Sequence, residues 1–190
     1  MLELKLRKTA VRLDFSFFAS LALLMLTDEG CTGLTALAAC GLHELSHLAV
    51  MIFFGISAER ITFYGAGIRI TSGLTEYAKP LPKVLILLAG CFGNFAGALI
   101  LGQLGYKFAA LINLFTGIFN LLPIGEFDGA VLLKMLLLRF CKPEKIDLAM
   151  RIAGIVSAVI CIFVILYFGG ISFSFVTTVL YIFTISILNV

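Results

Sequence analysis

Charged side chains are scarce in this chain: they make up 13% of its 190 residues, while 61% are hydrophobic. About a quarter of the residues in soluble domains are charged, so this composition excludes an ordinary soluble globular protein. It is typical of an integral membrane protein. The length allows about six membrane-spanning helices of roughly 20 residues with short loops. We therefore expect one membrane-embedded domain over residues 1–190, without a separate soluble domain.

Patterns typical of several other protein classes are missing. The basic residues behind the net charge of +3 lie at segment ends and form no stripe, which argues against a nucleic-acid partner. The five cysteines have no CxxC spacing, so we expect packing residues and not a disulfide framework or a zinc cage. The first apolar run reaches Asp28 and Glu29 without a small-residue cleavage site, which predicts an uncleaved span.

Six apolar runs predict an all-α polytopic membrane protein with about six transmembrane helices. Lysine and arginine cluster before the first run, between the second and third, and between the fourth and fifth. The positive-inside rule then places both termini in the cytoplasm. The runs are approximately Phe15–Thr27, Cys31–Phe54, Val84–Leu104, Phe108–Leu122, Ile152–Phe168 and Ile171–Leu188.

The segment between the second and third runs, residues 57–72, has a different pattern. Its sequence ERITFYGAGIRITS alternates and is rich in β-branched and aromatic residues, which predicts a short β-hairpin at the membrane surface. A plain re-entrant loop is the alternative. In the third run, Ala89, Gly93 and Gly97 form a small-residue face that predicts close approach of another helix.

The strongest chemical signal is HELSH, His43 to His47, which contains the only two histidines of the chain. On a helix, residues four apart share a face, so both imidazoles can hold one zinc ion, with Glu44 beside them as proton acceptor. The alternative is a hydrogen-bonded pair of core histidines next to a snorkelling glutamate. Packing alone does not explain that carboxylate, which costs about 2.5–3.5 kcal/mol near the middle of a span.

Two histidines leave a catalytic zinc one protein ligand short. Among the four aspartates, Asp128 alone lies in sequence at membrane depth, in a stretch interrupted by Pro123 and Gly125. Irregular backbone at that depth is tolerated where it is buried in protein or lines a cavity, which favours Asp128 as the third ligand. Glu126 is the rival ligand, and an ordinary helix-cap role is the alternative for Asp128.

Together these motifs resemble the site-2 protease family of intramembrane zinc metalloproteases. HELSH is followed about eighty residues later by NLLPIGEFDG, Asn120 to Gly129, and a weaker match is AGCFGN, Ala89 to Asn94, which looks like the family's G-P-x-x-N stretch. Cys91 stands where that stretch usually has proline, and the usual proline near Asp128 is also absent. The resemblance covers residues 31–140, the expected catalytic core. The flanking runs match only as a six-helix layout, similar to the compact branch of spore-forming bacteria without a C-terminal regulatory domain.

The resemblance implies one zinc ion per chain, bound by His43, His47 and Asp128, with Glu44 as the general base. Asn94 and Asn120 would be polar groups near the site, and each has an alternative role in hydrogen bonding between helices. The implied function is hydrolysis of a peptide bond in or near the transmembrane segment of a membrane-protein substrate, in a bacterial cell membrane. A membrane zinc transporter and a non-proteolytic scaffold are the alternatives. A transporter would carry polar pathway residues on several helices, and a scaffold would be expected to lose Glu44.

Overall fold

The computed structural model describes residues 2–6, 9–27, 31–64, 67–72, 80–125 and 127–169. These residues form four strands and six helices, and the chain divides into two compact units, Met1–Ile118 and Phe119–Val190. The elements are β1 (Leu2–Leu6), β2 (Thr9–Leu13), α1 (Phe15–Thr27), α2 (Thr32–Phe53), β3 (Ala58–Tyr64), β4 (Gly67–Ser72), α3 (Pro80–Gln103), α4 (Lys107–Asn120), α5 (Asp128–Phe140) and α6 (Pro143–Gly169).

Three helices in the described part of the chain are long and apolar enough to cross a membrane: Thr32–Phe53, Pro80–Gln103 and Glu144–Phe163. They correspond to the second, third and fifth predicted runs, so the mostly helical membrane architecture is confirmed. At 13 and 14 residues, α1 and α4 are shorter than the roughly 20 residues that a straight span needs. The sixth run lies outside the described residues, and the count of six spans stays a prediction.

The predicted hairpin is present as β3 and β4, which pair antiparallel with Phe63 opposite Ile68. It belongs to a four-stranded sheet in the order β1-β2-β3-β4, in which β2 lies parallel to β3. We expected no strands at the N-terminus, so an all-α description omitted half of this sheet. The signal was available in the strict alternation of LELKL, because a period of two is the pattern of a strand. A side-chain hydrogen bond also joins β2 to β3, since Oγ1 of Thr9 donates to the carbonyl of Ala58 over 2.7 Å.

Within the first unit, α3 packs against α2 through glycines. A Cβ atom on Gly93 would overlap Ser46, and one on Gly97 would lie 2.7 Å from Cδ2 of Leu42. The predicted small-residue face is therefore right at these two positions. Gly90 also faces α2, since a Cβ atom there would lie 2.6 Å from Nε2 of His43. The place of Ala89 on this face stays a prediction.

A hydrophobic cluster joins the sheet to the end of α2 and the beginning of α3. Met51, Ala58 and Ile86 are buried there, and Ile61 and Ile70 of the sheet pack against them. The sheet therefore lies at the C-terminal end of α2 and the N-terminal end of α3. This packing fixes Ile86, whose backbone contributes to the site described below.

In the second unit, the turn after α4 is fixed by packing on α6. Ile124 is 1% exposed and forms a buried pair with Ala158, with Phe119, Leu122 and Phe127 around it. The backbone of Leu121 passes so close to the start of α5 that a Cβ atom on Gly129 would overlap the Leu121 carbonyl. This close approach holds Asp128 as the first residue of α5.

Candidate metal centre

His43 and His47 lie on one face of α2 and are 4% and 8% exposed. Their spacing of four residues on the helix brings the rings together edge to face, with centroids 4.6 Å apart. The two Nε2 atoms are 3.1 Å apart. The predicted convergence of the two imidazoles is thus present in the fold.

The other ring nitrogen of each histidine faces an oxygen atom on α3. Nδ1 of His43 is 2.8 Å from Oδ1 of Asn94, and Nδ1 of His47 is 2.6 Å from the backbone carbonyl of Ile86. A carbonyl oxygen only accepts hydrogen bonds, so each Nδ1 must carry the hydrogen and donate it. In the neutral imidazole the lone pair then lies on Nε2, the nitrogen available for a metal.

The orientation of the Asn94 amide follows from its remaining contacts. Its Nδ2 donates to the carbonyl of Ala39 over 3.0 Å and to Oδ1 of Asn113 over 3.1 Å. Both hydrogens of the amide are thereby used, and Oδ1 is the atom left to face His43. Asn94 is 0% exposed. It therefore both joins the helices and orients a histidine, the two roles that the sequence left as alternatives.

These nitrogen positions fit a zinc ion. Two lone pairs 3.1 Å apart repel unless a proton or a cation is shared between them. Tetrahedral zinc with Zn–N distances of about 2.0–2.1 Å holds two imidazole nitrogens roughly 3.3 Å apart, close to the observed separation. Donation of the second ring N–H to a carbonyl oxygen is also the arrangement that metal-binding histidines adopt.

Gly90 keeps the space beside the two nitrogens open. A Cβ atom there would lie 2.6 Å from Nε2 of His43 and would overlap Nε2 of His47. Any larger residue at this position would occupy the volume in which a metal would bind. The sequence motif contained Gly90, but its role depends on the packing of α3 on α2.

Glu44 follows His43 on α2 and is half-buried. Successive residues on a helix are about 100° apart, so its carboxylate lies on the face adjoining the two imidazoles. This is the relation that HExxH predicts, with the carboxylate beside the two imidazoles.

Two residues at the centre were missed by the sequence analysis. Asn113 of α4 is 4% exposed and, besides accepting from Asn94, donates to the carbonyl of Ala109 over 2.9 Å. Cys91, expected to be a packing residue, is 1% exposed and has its Sγ within 4.8 Å of a ring nitrogen of His43. The available signals were an asparagine inside an apolar run and the departure at Cys91 from the family's usual proline.

The remaining predicted residues belong to the second unit. Asp128 is half-buried in the first turn of α5, a position where a carboxylate also interacts favourably with the helix dipole. Asn120 is half-buried at the end of α4. Glu126 lies outside the described residues. The ligand role of Asp128 and the supporting role of Asn120 stay predictions.

Comparison with known proteins gives a clear similarity in fold. No family model and no curated protein sequence matches the chain. Among solved structures, it resembles the site-2 protease from Methanocaldococcus jannaschii with a TM-score of 0.70 and 19% sequence identity. The alignment covers 99% of this chain and 94% of that protein. The described part of the chain therefore has the fold of a site-2 protease.

Proposed function

We propose that this chain is an intramembrane zinc metalloprotease of the site-2 type. The observation that carries the proposal is the pair of buried histidines whose Nδ1 hydrogens are fixed by Asn94 and Ile86, so that both Nε2 atoms converge. A hydrogen-bonded pair of core histidines does not require this arrangement, whereas a metal site does. The likeness in fold to a site-2 protease supports the same conclusion.

His43 and His47 are the proposed zinc ligands in the first unit, and Asp128 is proposed as the third from the sequence resemblance. One zinc ion per chain would leave a coordination position for water, as in other catalytic sites. Bound zinc would polarise the scissile carbonyl and increase the acidity of the attacking water.

The protein's own side chains then provide proton transfer and orientation. Glu44 accepts a proton from the attacking water and donates it to the leaving amine. Asn94 and the Ile86 carbonyl keep the imidazoles in the tautomer that presents Nε2. Both histidines are buried between α2 and α3, which limits access of bulk water to the site.

The proposed substrate is the transmembrane segment of another membrane protein. A helix hides its carbonyl groups in hydrogen bonds, so the segment must unwind locally before hydrolysis. The β3–β4 hairpin ends in an edge strand, β4, to which an unwound segment could add as a further strand. We place the protein in a bacterial cell membrane from its sequence resemblance to the compact branch of spore-forming bacteria. Both termini are placed in the cytoplasm from the distribution of lysine and arginine.

Cleavage of candidate single-span proteins in detergent or liposomes tests the proposal. Glu44→Gln keeps the shape of the side chain but accepts no proton, so cleavage should fall by at least about 10²–10⁴-fold while bound metal and thermal stability stay unchanged. Glu3→Gln on β1 is the matched control, because Glu3 is exposed and lies at the edge of the sheet opposite β4. Near-normal cleavage by Glu44→Gln would contradict the assignment of the base.

Metal analysis tests the other half of the proposal. Purified wild-type protein should hold one zinc ion per chain, and His47→Ala should lose it. Asp128→Ala should lower zinc affinity if this residue is the third ligand. A wild-type protein that stays metal-free after zinc loading would rule out a metalloprotease. Zinc flux into liposomes without cleavage of any substrate would favour the transporter alternative.

A further inference from the structure

A third side chain that can bind a metal lies beside the two histidines within the first unit. Cys91 directly follows Gly90 on α3, and it is 1% exposed. Its Sγ atom lies within 4.8 Å of a ring nitrogen of His43. The contact between α2 and α3 thus places a buried thiol next to His43, whose Nε2 is 3.1 Å from that of His47.

The distance is compatible with a shared metal ion. In a tetrahedral zinc site the metal lies about 2.3 Å from a thiolate sulfur and about 2.0–2.1 Å from an imidazole nitrogen, so sulfur and nitrogen are roughly 3.5 Å apart. From the longest distance between Sγ and the His43 nitrogen that the structure allows, 4.8 Å, the sulfur must move about 1.3 Å to reach this separation. A change of the cysteine χ1 rotamer moves the sulfur further than that.

We propose that Cys91 is a ligand of the metal that His43 and His47 hold. The proposal rests on the proposed function for the presence of the metal, but it requires no proteolysis. On coordination the S–H bond breaks, the sulfur–metal bond forms, and the proton passes to solvent. The first unit then provides three metal ligands by itself.

Binding of Cys91 has a consequence for activity. With Asp128 as the proposed third ligand, the thiolate would be the fourth, and it would fill the position that a catalytic zinc site keeps for water. The form with Cys91 on the metal is therefore a latent form of the protease. Departure of the thiolate frees the position that hydrolysis needs.

Cobalt(II) provides a readout that is independent of proteolysis, because a thiolate bound to cobalt gives an intense charge-transfer band in the near ultraviolet that nitrogen and oxygen ligands lack. Full-length protein in detergent is loaded with cobalt(II), and its spectrum is compared with those of Cys91→Ser and Cys91→Ala. Cys161→Ser is the matched control, because that half-buried thiol lies on α6 of the second unit. Thermal unfolding of each variant checks that it is folded, and two replacements of different polarity guard against a local packing defect.

We expect the band in wild type and in Cys161→Ser, and its loss in both Cys91 variants while they still bind cobalt. Cobalt affinity of the Cys91 variants should fall by at least roughly 10–100-fold, the range found when a residue that merely supports a ligand is lost. Wild-type protein that binds one cobalt ion without the band would overturn the role of Cys91 and leave the proposed protease intact. Wild-type protein that binds no metal at all would overturn both.

Discussion

His43 donates a hydrogen bond from Nδ1 to Oδ1 of Asn94, 2.8 Å away, across the contact between α2 and α3. The same amide donates from Nδ2 to the Ala39 carbonyl on α2, so one side chain binds the neighbouring helix at two points. The two points are four residues apart, one helical turn. The register of α3 on α2 and the orientation of the imidazole are therefore set by the same residue.

Asn94→Leu, which has similar volume, should weaken metal binding. The replacement leaves the buried N–H of His43 without its acceptor, a loss that costs about 1–3 kcal/mol. Loss of a group that orients a metal-binding histidine lowers affinity about 10–100-fold. Zinc affinity measured by competition with a chelator checks this expectation.

Asn113→Leu is the control for that experiment. It removes one acceptor of the Asn94 amide but keeps the hydrogen bond between Asn94 and His43. We expect lower thermal stability with zinc affinity changed by no more than about threefold, an energy below the roughly 1–3 kcal/mol that a buried group left without its partner costs. Equal losses of affinity in the two variants would show that Asn94 acts through general helix packing.

The parts of the site that the sequence predicted depend on local spacing. The two histidines converge because four residues make about one helical turn, whatever the helix packs against. The β3–β4 hairpin is likewise predicted by an alternating pattern within sixteen residues, 57–72. A single chain is enough to predict features of this kind.

Asn113, Cys91 and Gly90 could not be assigned in the same way. Each acquires its surroundings from the packing of one helix on another, which brings together residues distant in sequence, as at Gly93 and Ser46. The pairing of β2 with β3 also joins segments about fifty residues apart. An alternating pattern predicts that a strand forms, but it does not determine which strand will lie beside it.

Gly90→Ala should abolish metal binding without unfolding the protein. The added methyl group would overlap Nε2 of His47 and lie 2.6 Å from Nε2 of His43, so it occupies the metal position. Gly41→Ala on α2 is the matched control, because a Cβ atom there meets nothing within 4 Å. Alanine in a helix is favoured over glycine by about 1 kcal/mol, so the control should keep its metal and unfold at the same or a higher temperature. Full zinc occupancy in Gly90→Ala would show that the metal does not bind between the two nitrogens.

Gly129→Ala should destabilise the second unit. Its new methyl group would meet backbone atoms of Leu121, which cannot move aside as a flexible side chain can. Overpacking of this kind typically costs about 1–3 kcal/mol. Gly154→Ala on α6 is the control, since its Cβ atom would lie at an ordinary 3.5 Å from the Pro123 carbonyl. Thermal unfolding should separate the two variants, and equal midpoints would mean that α5 can shift away from Leu121 at little cost.

The position of the cut follows from the position of the histidines along α2. His47 and His43 precede Phe53 by six and ten residues, which places them about 9 and 15 Å from the end of the helix. The four-stranded sheet lies at this same end, because β3 begins at Ala58 and packs with Met51 of α2. In the proposed topology, this end of α2 faces the cytoplasm. We therefore expect scission in the cytoplasmic half of the substrate's membrane segment, with one product released into the cytoplasm.

Mass spectrometry of the products locates the cleaved bond directly, and moving a cleavable sequence through the segment one helical turn at a time tests the depth independently. Cuts confined to the outer half would contradict the assigned topology, since the depth of the histidines on α2 is fixed by the helix itself.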